Sequence, residues 1–174
     1  QANRLLTGRS RIVVIKTRVV RHSARAAPLA AHLSYLRRDG VTQDGEKARL
    51  FGPEGDNVDA RDFAARCEDD RHHFRFIVSP EDATELANVR TFTRELLTDM
   101  EKDLGTRLDW VAVDHWNTDN PHVHVLVRGK ADDGRDLVID RNLATEAAEL
   151  YSLLERLAVD EVSLDDSALN KVLD

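Results

Sequence analysis

Between Val111 and Gly129 the chain reads VAVDHWNTDNPHVHVLVRG, and three of its seven histidines, His115, His122 and His124, lie in that stretch. Side chains alternate across a strand, so His122, His124 and Leu126 share one face and Val123, Val125 and Val127 the other. The run LDWVAVDH before it is also strand-like and puts Val111, Val113 and His115 on one face. The connection from Trp116 to Pro121 is short enough to make the two runs antiparallel neighbours. With those faces aligned, three imidazoles converge within reach of one ion. Neutral imidazole suits manganese, zinc, iron or nickel, and without a carboxylate to complete the sphere the ion keeps positions open for water or a substrate oxygen. Such an ion polarises a phosphoryl oxygen and neutralises developing charge, which is most of what phosphoryl transfer asks of a protein. The plainer alternative, partly buried rings satisfied by hydrogen bonds, fits a lone histidine better than three in this pattern.

A reaction of that kind needs a nucleophile. The chain has two tyrosines, Tyr35 and Tyr151. Tyr151 lies in the acidic stretch ATEAAELYSLLERL, whose neighbours point to packing, whereas Tyr35 sits in the last turn of a short helix, APLAAHLSYLRRDG, beside Arg37 and Arg38. A phenol attacks poorly at neutral pH unless a cation or base lies near it, and those arginines and the ion supply the first. The competing role for Tyr35 is to pack its ring against the sheet. His32, one helical turn earlier, is placed to hydrogen-bond near the phenol or to face solvent. Asp119 in the connection is a candidate to orient a ligand imidazole, and Asp114, which alternates away from His115, is read as structural.

Around these residues the chain alternates strands and helices. RIVVIKTRVV, from Arg11 to Val20, is a β-branched strand with Lys16 and Arg18 on one face. A loop over 41–58, with a short strand at Leu50 and Phe51, and a short helix in DARDFAARCEDD follow. In RHHFRFIVSPED, Phe74, Phe76 and Val78 alternate with His73, Arg75 and Ile77. If His73 points to the site's face, Arg71 and Arg75 contact phosphates. SPED predicts a helix start, with Ser79 as cap and Pro80 at the first position. Leu86, Val89, Leu96, Met100 and Leu104 carry that helix to Gly105. DLVID offers a further strand, and two acidic helices close the chain. The fold expected is α+β, a central, mainly antiparallel sheet of about five strands flanked by helices.

At 174 residues one domain with a real core is expected, and 41% hydrophobic with 33% charged residues is ordinary for a globular protein. No apolar run approaches the ~18 residues of a membrane span. A single cysteine, Cys67, allows neither an intrachain disulfide nor a cysteine zinc site, which fits a reducing compartment. The start at Gln1 is read as a fragment or processed chain. Net charge is −7, yet the first fifty residues hold eleven Lys and Arg against three acids, a surplus of eight, so the remainder carries fifteen negative charges. A basic face is compatible with that sum, because phosphate binding depends on the local patch.

Taken together, HLSYLRRDG, HHFRFIVSPED and above all DHWNTDNPHVHVLVRG resemble the three motifs of a conjugative relaxase, the plasmid mobilisation nuclease of the histidine-hydrophobic-histidine (HUH) superfamily, of the Vir-type kind. The resemblance runs from about Arg11 to about Arg141. It implies a metal-dependent single-stranded DNA endonuclease and strand transferase that nicks an origin of transfer through a 5′-phosphotyrosine and initiates plasmid transfer. It implies Tyr35 as nucleophile, His115, His122 and His124 as ligands of a divalent ion, Mn or Mg, and a place in the bacterial cytoplasm. Asn117 stands where many relatives carry an acidic residue and joins Asp119 and His32 as a candidate for orienting a ligand or moving a proton. Lys16, Arg18, Arg37, Arg38, Arg71 and Arg75 are candidate DNA contacts. Partners implied are single-stranded DNA and accessory DNA-processing and secretion-coupling proteins. Residues 1–141 form the expected nuclease domain and 142–174 an acidic helical extension of unknown role. A rolling-circle replication initiator of the same superfamily, a catalytically silent DNA-binding module and an unrelated small-molecule metalloenzyme stay open as alternatives.

Overall fold

The computed structural model describes residues 13–23, 28–81, 83–86 and 88–139. Its elements in chain order are β1 (Val13–Arg21), α1 (Leu29–Leu36), α2 (Ala60–Arg66), β2 (His72–Pro80), α3 (Val89–Leu104), β3 (Trp110–His115) and β4 (His122–Arg128). The strands pair antiparallel in the order β1-β2-β4-β3, so the fold is α+β with an open sheet of four strands. Among the described residues the expected fifth strand is not formed. Gly134 turns the chain at a φ of 81°, and Leu137 N–H then bonds the Gly129 carbonyl at 2.9 Å. The start of DLVID is thereby folded back onto the end of β4, with one isolated bridge from Lys130 to Asp136. Leu50 and Phe51 likewise make single bridges, to Val58 and to Ala112 on the outer edge of β3.

The long helix begins later than SPED predicts. Ser79 and Pro80 complete β2, with Pro80 opposite Val13 at the last pair of the ladder. The cap is Asn88, whose side-chain oxygen accepts from Arg90 N–H at 2.9 Å and Thr91 N–H at 3.1 Å. Leu86 therefore lies ahead of the helix, while Val89, Leu96 and Met100 are buried on it. Gly105 ends α3 in the left-handed conformation, where a side chain is disfavoured.

The two faces of the sheet have different cover. On one, α3 packs Phe92, Leu96 and Met100 against Phe74, Phe76, Val123, Val125 and Val127. On the other, Leu33 and Leu36 of α1 and Phe63 of α2 pack with Val111, Val113 and Leu126. The β1 edge of that second face stays open, with Val14, Lys16 and Arg18 exposed, while His73 on β2 is buried. No helix among the described residues is long and apolar enough to cross a membrane. Tyr151 and the acidic tail lie outside the described residues.

Gly129 holds the end of β4 against the start of β2. A Cβ there would stand 2.0 Å from the His72 carbonyl oxygen, which is backbone and cannot rotate away. Gly129→Ala is expected to destabilise the fold by about 3 kcal/mol or more, at the upper end of overpacking costs, as measured by urea unfolding.

Candidate metal centre

The β3–β4 ladder pairs His115 with His122 and Val113 with His124, which places all three histidines on one face at one end of the hairpin. Their candidate ligand nitrogens lie within 4.8 Å of one another. Ring centroids are 4.6 Å apart for His115 and His124, 4.8 Å for His122 and His124, and 5.5 Å for His115 and His122. Only the sheet register brings His115 to the other two, because the chain between them leaves the strand and returns.

Two of the rings are fixed by backbone carbonyls. His115 Nε2 is 2.7 Å from the Leu36 carbonyl, and His122 Nδ1 is 2.9 Å from the Asn120 carbonyl. A carbonyl only accepts, so each of those nitrogens carries the proton and the other nitrogen of the ring keeps its lone pair for the cluster. His122 Nε2 and His124 Nε2 are 3.1 Å apart. Two nitrogens each ~2.1 Å from one tetrahedral ion stand roughly 3.4 Å apart, so a small adjustment of the rings suits a shared ion. A three-imidazole set of this kind can hold a metal.

Burial favours the neutral, metal-binding form of His115 and His124. Burial pushes the His124 imidazolium down to about 3, helped by His115, His122, His32 and Arg38. Burial also lowers His115; the Leu36 carbonyl opposes this, and the charges of His122 and Arg38 add to the fall. His32 falls to about 4 through burial and then Arg75, and His73 to about 3 for the same two leading reasons.

These shifts fix how stability depends on pH. An unfolded chain protonates its histidines near 6.5, while the folded values of His32, His73 and His124 are about 4, about 3 and about 3. Between those limits the unfolded state binds protons that the fold refuses, so stability is full above pH 6.5 and declines as pH falls toward 4. Urea midpoints in chelator should drop between pH 6.5 and 5, where carboxylates are still ionised; a flat profile there contradicts these environments.

The remaining candidates divide by position. Tyr35 is 62% exposed on α1, one residue before the Leu36 whose carbonyl holds His115, and the Arg38 guanidinium lies 4.7 Å over its ring. His32 shares a cavity of about 240 Å³ with His124, Lys16, Arg18 and Arg75. Arg37 is half-buried at the helix end, its Nε enclosed and without a partner among the described residues. Asn117 and Asp119 are exposed in the connection, and the group that orients His122 is the Asn120 carbonyl rather than either side chain. Arg71 is not brought to the cluster: it precedes β2, pairs with Asp136 at 3.2 Å, and is separated from Ile77, the neighbour of His124, by about 20 Å of extended chain. Asp114 faces away and holds Arg90 at 2.9 Å and the Trp116 indole at 2.7 Å, as a structural residue would.

Sequence reasoning missed the two carbonyls and also His22, whose Nε2 lies 2.7 Å from Nδ1 of the buried His73. A carbonyl belongs to every residue, so no residue type announces it, and His22 gains its role only from the β1–β2 register. Compared with protein-family models and with curated proteins, the chain matches none.

Proposed function

We propose that the chain is a metal-dependent single-stranded DNA nickase and strand transferase of conjugative-relaxase type. The observation that carries this reading is the bond from His115 to Leu36, which ties a three-imidazole cluster to the helix turn bearing the exposed Tyr35. A hydrogen-bonded histidine cluster alone would need no tyrosine, and a tyrosine that only packed would not be 62% exposed.

A divalent ion held by His115, His122 and His124 supplies Lewis-acid polarisation of a phosphate oxygen. Three nitrogen ligands favour manganese, iron or zinc over magnesium, which prefers oxygen. The Tyr35 hydroxyl oxygen forms a bond to phosphorus as the bond from phosphorus to the 3′ oxygen breaks. The phenol proton passes to solvent and the departing 3′ oxygen takes one up, so one phosphodiester replaces another and no water is consumed. Arg38, stacked on the ring, stabilises the phenolate as it forms. Lys16, Arg18 and Arg75 lie toward the open edge of the sheet beside His124, where a strand's phosphates would lie.

The test uses single strands from the replicon that encodes the protein, labelled at the 3′ end, with Mn²⁺. The expected result is a denaturant-resistant protein band that carries the label. Cleavage with the label left on free DNA would mean hydrolysis by water and would overturn the tyrosine chemistry.

A further inference from the structure

Beside the histidine cluster, toward the open edge of the sheet, lies a cavity of about 240 Å³ bordered by Lys16, Arg18, His32, Arg75 and His124. At that size, below the ~300–1,000 Å³ of pockets for drug-sized ligands, it takes one compact group. Leu36, Ile77 and Leu126 make much of its lining apolar, and the charged groups at it are the cations Lys16, Arg18 and Arg75. Arg18 and Arg75 are directly opposed across β1 and β2, an arrangement of like charges that costs stability in a sheet. Among the described residues no carboxylate pairs with Lys16, Arg18 or Arg75. A cationic pair that has no counter-charge among the described residues and faces a cavity is the arrangement an anion would relieve.

Arg75 is moreover held in place. Its Nε–H donates to His73 Nε2 at 2.9 Å, so His73 carries its proton on Nδ1, which donates to His22 Nε2 at 2.7 Å. His73 is 2% exposed and remains neutral, so it anchors the arginine without competing for an anion. With Nε engaged, the two terminal nitrogens of Arg75 have no acceptor among the described residues and are left to form the fork that recognises phosphate oxygens.

We propose that this cavity is a seat for one phosphate group, gripped by Arg75 with Lys16 and Arg18, and that His73 and His22 are positioning residues for Arg75. Only the identity of the phosphate, as one belonging to the strand that is cut, rests on the nickase reading.

Two arms in chelator test the seat on the full chain, without any cleavage. In the first, ¹⁵N resonances of the Arg75 guanidinium are followed with inorganic phosphate; in the second, anisotropy of a labelled oligothymidylate is measured. Arg75→Gln should lose about tenfold or more in oligonucleotide affinity, the equivalent of one charge-assisted hydrogen bond, and lose the phosphate-induced shift. His73→Phe should show the same loss, and His73→Gln, which can both accept from Arg75 and donate to His22, should restore most of it. A residue that merely packed would be served better by Phe than by Gln. Where His73→Phe fails to fold, Arg75→Gln, a change at a half-buried site, decides the matter. Tighter binding of the oligonucleotide than of inorganic phosphate assigns the phosphate to a strand; equal binding assigns it to a small phosphate compound. Parent-like affinity for both probes in Arg75→Gln would overturn the seat. Failure of the parent to form an adduct, with Arg75-dependent phosphate binding intact, would overturn the nickase reading and leave the seat standing.

Discussion

Tyr35→Phe is expected to bind single-stranded DNA with the affinity of the parent and to form no covalent adduct with it. The substitution keeps the ring and deletes one hydroxyl, the atom proposed to bond to phosphorus. Because Tyr35 is 62% exposed, the loss of that hydroxyl leaves no buried polar group unpaired, and stability should change by no more than about 0.5 kcal/mol, as at ordinary surface sites. The stacking of Arg38 on the ring survives as well, since Phe presents a similar face. Lys16, Arg18 and Arg75, the proposed phosphate contacts, lie on the sheet and are untouched. The variant thus separates binding from chemistry: adduct lost, anisotropy unchanged. Tyr151→Phe should behave as the parent. An adduct that persists in Tyr35→Phe would move the nucleophile elsewhere.

How far the site could be read from the chain follows from which interactions leave a trace in residue order. The β3–β4 hairpin was legible because a period of two assigns every side chain to a face, and the valines opposite the histidines demand burial. The pairing of His115 with His122 then required only a short connection. The placement of Lys16, Arg18, His73 and Arg75 on one face is the same kind of inference, and it extends across β1 and β2 in register. What stayed hidden depends on chain reversal in three dimensions. SPED has the composition of a helix start, but Pro80 closes the ladder and Asn88 provides the cap, because tertiary pairing of β2 with β1 outweighs a local capping preference. DLVID has strand composition, yet Gly134 turns it back before it can lie along a neighbour. Asp119 was a reasonable candidate to orient an imidazole, being a carboxylate in the right loop, but the carbonyl one residue on serves and side-chain identity cannot reveal it.

The histidines give the second large effect, and the three are not equivalent as tests. His115 is 2% exposed and bonds the Leu36 carbonyl, so His115→Ala would open a cavity and strand a buried acceptor, costing about 1–3 kcal/mol apart from any metal. Loss of activity there would be ambiguous. His122 and His124 are only partly buried, and the carbonyl freed in His122→Ala, that of Asn120, belongs to an exposed residue and already accepts from the Thr118 hydroxyl at 2.7 Å. Both variants should therefore keep the fold within about 1 kcal/mol in chelator. Their metal affinity should fall by more than the ~10–100-fold that loss of an outer partner typically costs, because a direct ligand is removed and two imidazoles remain. Adduct formation should disappear with it. Calorimetric titration with Mn²⁺ reads the first effect and the labelled strand reads the second. Manganese binding at parent affinity in both His122→Ala and His124→Ala would mean that the three rings are a hydrogen-bonded cluster and that the ion, if one is used, sits elsewhere.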